Sequence, residues 1–150
     1  MDNINWLSMV LATLTPIFVG FVYYHKAVFG KAWMDSIGMT DEKAKEANRV
    51  VILGVSIVLS FLLSFLLLNF NNSGINQEGD FDTFKHGAWH GIFLAITTAT
   101  PIMVINGLFE QKTWKNMLIN VFYWIITLAL MGGILDAMNH WQNIPMPEGY

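Results

Sequence analysis

The chain has no cysteine and little charge. Without cysteine there is no disulfide framework, no thiolate metal site and no thiol chemistry. Only 13% of its 150 residues are charged, against about a quarter in an average soluble protein. The formal net charge of −3 is small and its charges are dispersed, so no basic patch offers itself to a nucleic acid. No Asp, Glu, Lys or Arg lies near the middle of the long apolar runs, where ionisable groups mark proton relays and ion paths. A phosphate-binding glycine loop, a nucleophile elbow and an HExxH motif are also missing. These absences argue against a self-contained pump or an intramembrane protease.

What is there is apolar: 54% of the residues, gathered into four runs. Crossing a bilayer takes about 20 apolar residues at 1.5 Å each. The runs at about 4–24, 50–70, 87–109 and 117–138 meet that requirement, and none has a polar face wide enough to meet water. The expectation is an all-α membrane protein, one four-helix transmembrane domain over residues 1–150. The first run lacks a basic n-region and a small-residue cleavage site, so it reads as a retained span rather than a signal peptide.

Lys26, Lys31, Lys43, Lys45 and Arg49 lie between the first two runs, and Lys112 and Lys115 between the last two. Only Lys85 lies in the middle loop. This bias places both termini outside and the two basic loops in the cytoplasm. Trp33 and Trp114 then mark the inner interface, and Trp6, Trp89 and Trp141 the outer one. Loop 25–49 mixes Phe29, Trp33 and Ile37 with lysines, as a segment lying along headgroups does. Thr40 can cap a short polar helix that begins Asp41-Glu42, and the reading carries that helix straight into the second span.

Two segments repeat: Thr-Leu-Thr-Pro-Ile at 13–17 and Thr-Ala-Thr-Pro-Ile at 98–102, each inside a span. Proline in a helix interior removes a hydrogen bond, and nearby hydroxyls can satisfy the freed carbonyls. Bends of similar geometry are expected at Pro16 and Pro101. Duplication of a parallel hairpin and coincidence account for the pair equally well. Small residues also recur every fourth position: Ser8, Ala12, Pro16, Gly20; Ser56, Ser60, Ser64; Gly87, Gly91, Ala95, Ala99; and Ala129, Gly133, Ala137. Such stripes let membrane helices approach closely, within one chain or between chains.

The candidate site is His86 and His90 entering the third helix, with Asp136 and His140 leaving the fourth. Spacing of four puts each pair on one helical face. From Met117 to Asp136 is about 29 Å of helix, which sets Asp136 at the outer boundary. Placed by depth, His90 faces Asp136 and His86 is level with His140, with at least one contact between the pairs. Three imidazoles and a carboxylate suit zinc, a proton-accessible cluster or a polar network that only braces the helices. At a solvated boundary, Asp136→Asn would cost little.

The stretch FVGFVYYHKAVFGKAWM at 18–34, an apolar helix ending in an aromatic pair and followed by FGKAWM, resembles the small four-helix bacterial membrane proteins of domain-of-unknown-function family seventeen sixty-one. The likeness covers the whole chain in length and span pattern and is most specific from Gly20 to Met34. It implies a multi-pass protein of the bacterial cytoplasmic membrane and brings no activity or cofactor with it. The functional expectation is a non-enzymatic interaction module, either a homo-oligomer or an accessory subunit beside other membrane-protein subunits. The alternative is a small-solute carrier or channel working as a dimer, and after that a metal-dependent membrane enzyme.

Overall fold

The computed structural model describes residues 4–71 and 83–139. His140, Trp141, the polar middle loop at 72–82 and the proline-containing tail lie outside the described residues. The described residues are helical, with no strand among them. In order they form α1 (Trp6–Tyr23), a π-helical turn (Lys26–Gly30), α2 (Lys31–Ser36), α3 (Asp41–Lys45) and α4 (Arg49–Asn71). After the middle loop come α5 (Phe84–Leu94), a π-helical turn (Ala95–Ala99), α6 (Thr100–Phe109) and α7 (Trp114–Met138). Among the described residues four helices are long and apolar enough to cross a membrane: α1, α4, the continuous helix Phe84–Phe109 and α7.

Local chemistry sets the ends. The Asn5 side chain accepts from the amides of Leu7 and Ser8 and starts α1. Thr83 and Thr113 accept from the amides of His86 and Asn116, so the third and fourth spans begin three residues before their apolar runs. Thr40 does cap α3, through the Lys43 amide. The helix does not continue into the second span, however. It stops at Lys45, and the Asn48 side chain accepts from Val51 to open α4 afresh. Asn48 competes for the backbone as a cap, which is why the polar helix and the span are separate.

The two Thr-Pro segments are handled differently. Helix α1 stays α-helical through Pro16, and Thr15 Oγ1 donates to the Leu11 carbonyl at 2.9 Å. Ahead of Pro101 the helix widens into the Ala95–Ala99 π-turn, where the Thr100 amide reaches Ala95 O. The hairpins also pack unequally. Helix α7 touches all the other spans, and its contact with α5 is the most extensive among the described residues, while α5 touches α4 only slightly.

The core around Met9, Ala12, Leu67, Leu68, Leu128, Met131 and Leu135 sits toward the end at which α1 begins and α7 finishes, here the termini end. Most small-residue stripes are consumed inside this bundle: Ser8, Ala12, Ser60, Ser64, Gly87, Gly91 and Gly133 are all buried. Toward the opposite, loop end the helices part. In α4, residues 60, 64, 67, 68 and 71 are buried, whereas none from 49 to 59 is. Beyond Ala95 the third span buries only Gly107.

Candidate functional site

The site at the termini end follows from how closely α5 and α7 approach. A Cβ built on Gly87 would collide with the Gly132 carbonyl, and one on Gly91 with the Leu128 carbonyl. Glycine is required at both positions, and the contact fixes the register of two antiparallel helices. Asp136 lies one turn beyond Gly132, and its Cβ also packs against the Gly87 position, next to His86 in sequence. His86 is therefore its nearest histidine. Its Nδ1 lies 2.8 Å from Asp136 Oδ2, and the carboxylate is buried at 2% exposure. The expected contact between the two helices is present, but His86 makes it rather than His90. Depth estimated from hydropathy placed the helices about one turn out of register.

His90 turns instead to the second span, where its Nδ1 lies 3.0 Å from Asn71 Oδ1. Asn71 Nδ2 donates in turn to the Gly132 carbonyl at 3.2 Å. The His86 and His90 rings meet edge to face at 4.2 Å, and Phe70 packs against His90. Beside this lies a second knot. The Asn5 amide donates to Asn139 Oδ1 at 2.8 Å, and Asn139 Nδ2 donates to Ser8 Oγ at 2.8 Å and to the Leu135 carbonyl at 2.6 Å. Asn5 Nδ2 closes the ring on the Met138 carbonyl. Together these bonds tie the start of α1, the end of α4, the start of α5 and the end of α7.

Of the four proposed metal ligands, His86, His90 and Asp136 share this end, and His140 lies outside the described residues. Among the described residues no group of three His, Asp or Glu side chains is placed to hold a metal ion. The solvated boundary expected for Asp136 is corrected by its burial: Asn in its place would give up a charge-assisted hydrogen bond away from water.

The loop end is built from aromatics and amides. Tyr23 donates to the Ile119 carbonyl at 3.0 Å, and Tyr123 to the Pro16 carbonyl at 2.7 Å. A relay runs from Tyr24 OH to Asn120 Oδ1, from Asn120 Nδ2 to Asn116 Oδ1, and from Asn116 Nδ2 to Ser36 Oγ. It joins α1, α7 and α2. Where α1 and α4 part, a cavity of about 880 Å³ opens between them, with Tyr123 and Trp124 of α7 as its floor. Its mouth carries His25, Lys26 and Arg49. Lys26 also pairs with Asp41 at 2.6 Å, which lowers the Asp41 carboxyl below its usual range through that hydrogen bond and the charge behind it. A smaller cleft of about 240 Å³ lies on the other side of Trp124, against Asn106, Asn116 and Asn120.

The family model described as protein of unknown function (DUF1761) matches residues 7–136. The chain belongs to this family. No curated protein and no solved structure matches it. The match takes in all four spans and both ends of the bundle, from Ser8 in the asparagine knot to Asp136.

Several residues that build these sites in this member of the family escape a reading by charge and hydropathy. Asn71 and Asn139 stand at span ends, where an amide passes for the first polar residue of a loop. Their signal is position: each falls one helical repeat from a small buried residue of its own helix. Tyr123 offers no such signal, because its role depends on Pro16, far away in sequence.

Proposed function

We propose that this protein is a non-enzymatic interaction module of the membrane, acting as a homo-oligomer or as an accessory subunit of a larger membrane complex. The observation that carries this reading is a seam on α4. Val51, Val55, Val58 and Leu62 are all more than half exposed and follow one another at spacings of four, three and four. They form one stripe on the face opposite the buried Ser60 and Ser64. Apolar residues at this spacing form the seam along which helices pair. His86 and Asp136 are meanwhile engaged with each other and His90 with Asn71, a bracing role.

The carrier alternative draws on the cavity that opens toward the loop end. It would need a passage through the other half, where Met9, Ala12, Leu67, Leu128, Met131 and Leu135 fill the space between the described helices. The module reading therefore stands ahead. We place the protein in a bacterial cytoplasmic membrane on the family resemblance, with both termini outside on the strength of its lysine distribution.

The absence of native cysteine makes the test direct. Val51→Cys, the member of the stripe nearest the interface, should be captured by a bifunctional maleimide in membranes as a dimer or a defined heavier adduct, and Phe109→Cys at the end of the third span should not. Val51→Cys that labels with a monofunctional maleimide yet gives no crosslinked species at native expression would sink the reading. A membrane-impermeant maleimide should reach Thr83→Cys from outside and Glu42→Cys only after lysis, and the reverse pattern would overturn the orientation.

A further inference from the structure

We infer that the cavity between α1 and α4 is a binding site for one anionic phospholipid, its acyl chain lying in the groove and its phosphate at the basic mouth. The inference is independent of what the α4 seam pairs with, because the groove lies on another face of that helix.

The shape comes first. The lining runs along α4 from Arg49 to Leu63, about 21 Å of helix. Arg49 is the first residue of the span, so the groove runs from headgroup level past the middle of a hydrocarbon core about 30 Å thick. A volume of about 880 Å³ lies within the range of sites that hold a single small molecule, roughly 300–1,000 Å³. Its walls are apolar over most of their length, with Ile17, Leu53, Leu59 and Leu63 along the sides.

The chemistry of the mouth selects the headgroup. Lys26, Arg49 and the His25 imidazole all line it, and no acidic residue does. Arg49 has no ion pair among the described residues. The Lys26 amine is held by exposed Asp41, so Arg49 is the side chain of fixed positive charge at the mouth that has no ion pair among the described residues. The positive end of the α4 dipole lies at the same place, since Arg49 opens that helix. A long apolar slot that ends in unmatched positive charge at the interface is complementary to an anionic lipid, whereas a zwitterionic one brings its own cation to the same place beside its phosphate. Basic residues near a membrane surface attract anionic lipid in general. The groove is what would make this attraction a site with one occupant.

The test uses the full chain, purified in mild detergent and titrated under native mass spectrometry. The probes are phosphatidylglycerol, phosphatidylcholine of the same chains, and glycerol 3-phosphate. One phosphatidylglycerol should be retained at least fivefold more strongly than phosphatidylcholine, and glycerol 3-phosphate not at all. Arg49→Gln should lower the retention of phosphatidylglycerol about fivefold, as removal of one basic contact does. Ser56→Phe puts a ring into the groove from a half-buried wall position and should abolish retention of the first lipid equivalent. Equal retention of the two lipids, or retention unmoved by both variants, would mean an ordinary lipid shell and overturn the proposal. Binding of glycerol 3-phosphate that phosphatidylglycerol does not displace would overturn it too, in favour of a soluble phosphate. Should Ser56→Phe fail to fold, Arg49→Gln and the lipid pair still decide, because Arg49 is exposed and makes no ion pair that folding would miss.

Discussion

The two ends of this bundle hold the same four helices by different means. At the termini end, glycines bring α5 and α7 into backbone contact, and short polar side chains bond across the helices beside it. At the loop end, Tyr23, Tyr24, Tyr123 and Trp124 keep the helices apart while filling part of the space between them. Membrane helices gain no hydrophobic stabilisation from one another, since lipid is as apolar as leucine. Close packing and hydrogen bonds must associate them. The glycine end uses both densely; the aromatic end uses larger, longer-reaching groups and leaves a cavity on either side of Trp124. The difference assigns rigidity to one end and binding space to the other.

The comparison can be broken most severely at Gly91. Its Cβ position is occupied by the Leu128 backbone, which cannot move aside as a flexible side chain can. Gly91→Leu should separate α5 from α7 and cost about 3 kcal/mol or more, toward the top of what overpacking does. Detergent-solubilised protein should lose most of its thermal stability, measured as a large fall in Tm. A variant that melts within a degree or two of the parent would mean the close approach contributes little.

Next in size comes His86→Ala. It takes one partner from a buried carboxylate, and the imidazole itself is partly exposed, so the loss should be about 2 kcal/mol. Asp136→Asn should cost about 1 kcal/mol, because an amide can still meet the ring. His90→Ala, which touches only Asn71 among its hydrogen-bond partners, belongs with the smaller of these. Adding zinc to the parent separates bracing from metal binding: a bound ion would raise Tm with concentration by mass action, and a bracing network would not respond. A clear zinc-dependent rise that vanishes in His86→Ala would shift the balance toward a metal centre.

How much of this was legible beforehand depends on range. The spans were readable from apolar runs, and Thr40 from local cap chemistry, because both are properties of contiguous residues. The pairing of helix three with helix four near His86 and Asp136 was readable too, since a short loop forces an antiparallel hairpin. The register was not. It is set by Gly87 and Gly91 against Gly132 and Leu128, and hydropathy cannot place a helix to within one turn. Nor was the cavity legible. It exists because α4 leans on α1 at Ser60 and Ser64 and parts from it below, a difference in angle that no sequence periodicity encodes. The Thr-Pro pair misled in one respect: similar motifs stand in different helical geometry, and only the first has a tyrosine from α7 bonded to its proline carbonyl.

That tyrosine supplies the smallest and most discriminating test. Tyr123 OH donates to the Pro16 carbonyl at 2.7 Å. Tyr123→Phe removes this donor and leaves the ring in place against Tyr23, Tyr24 and Trp124. The Pro16 carbonyl keeps its place within α1, where a helical amide one turn on can still bond it, so the loss is one bond at an acceptor with a second partner. The expected cost is about 1 kcal/mol, the net worth of an ordinary hydrogen bond. Thermal melting should therefore rank Tyr123→Phe below His86→Ala and far below Gly91→Leu. If it instead collapses the protein as Gly91→Leu is expected to, the aromatic end is as tightly coupled as the glycine end, and the division between a rigid half and a binding half is wrong.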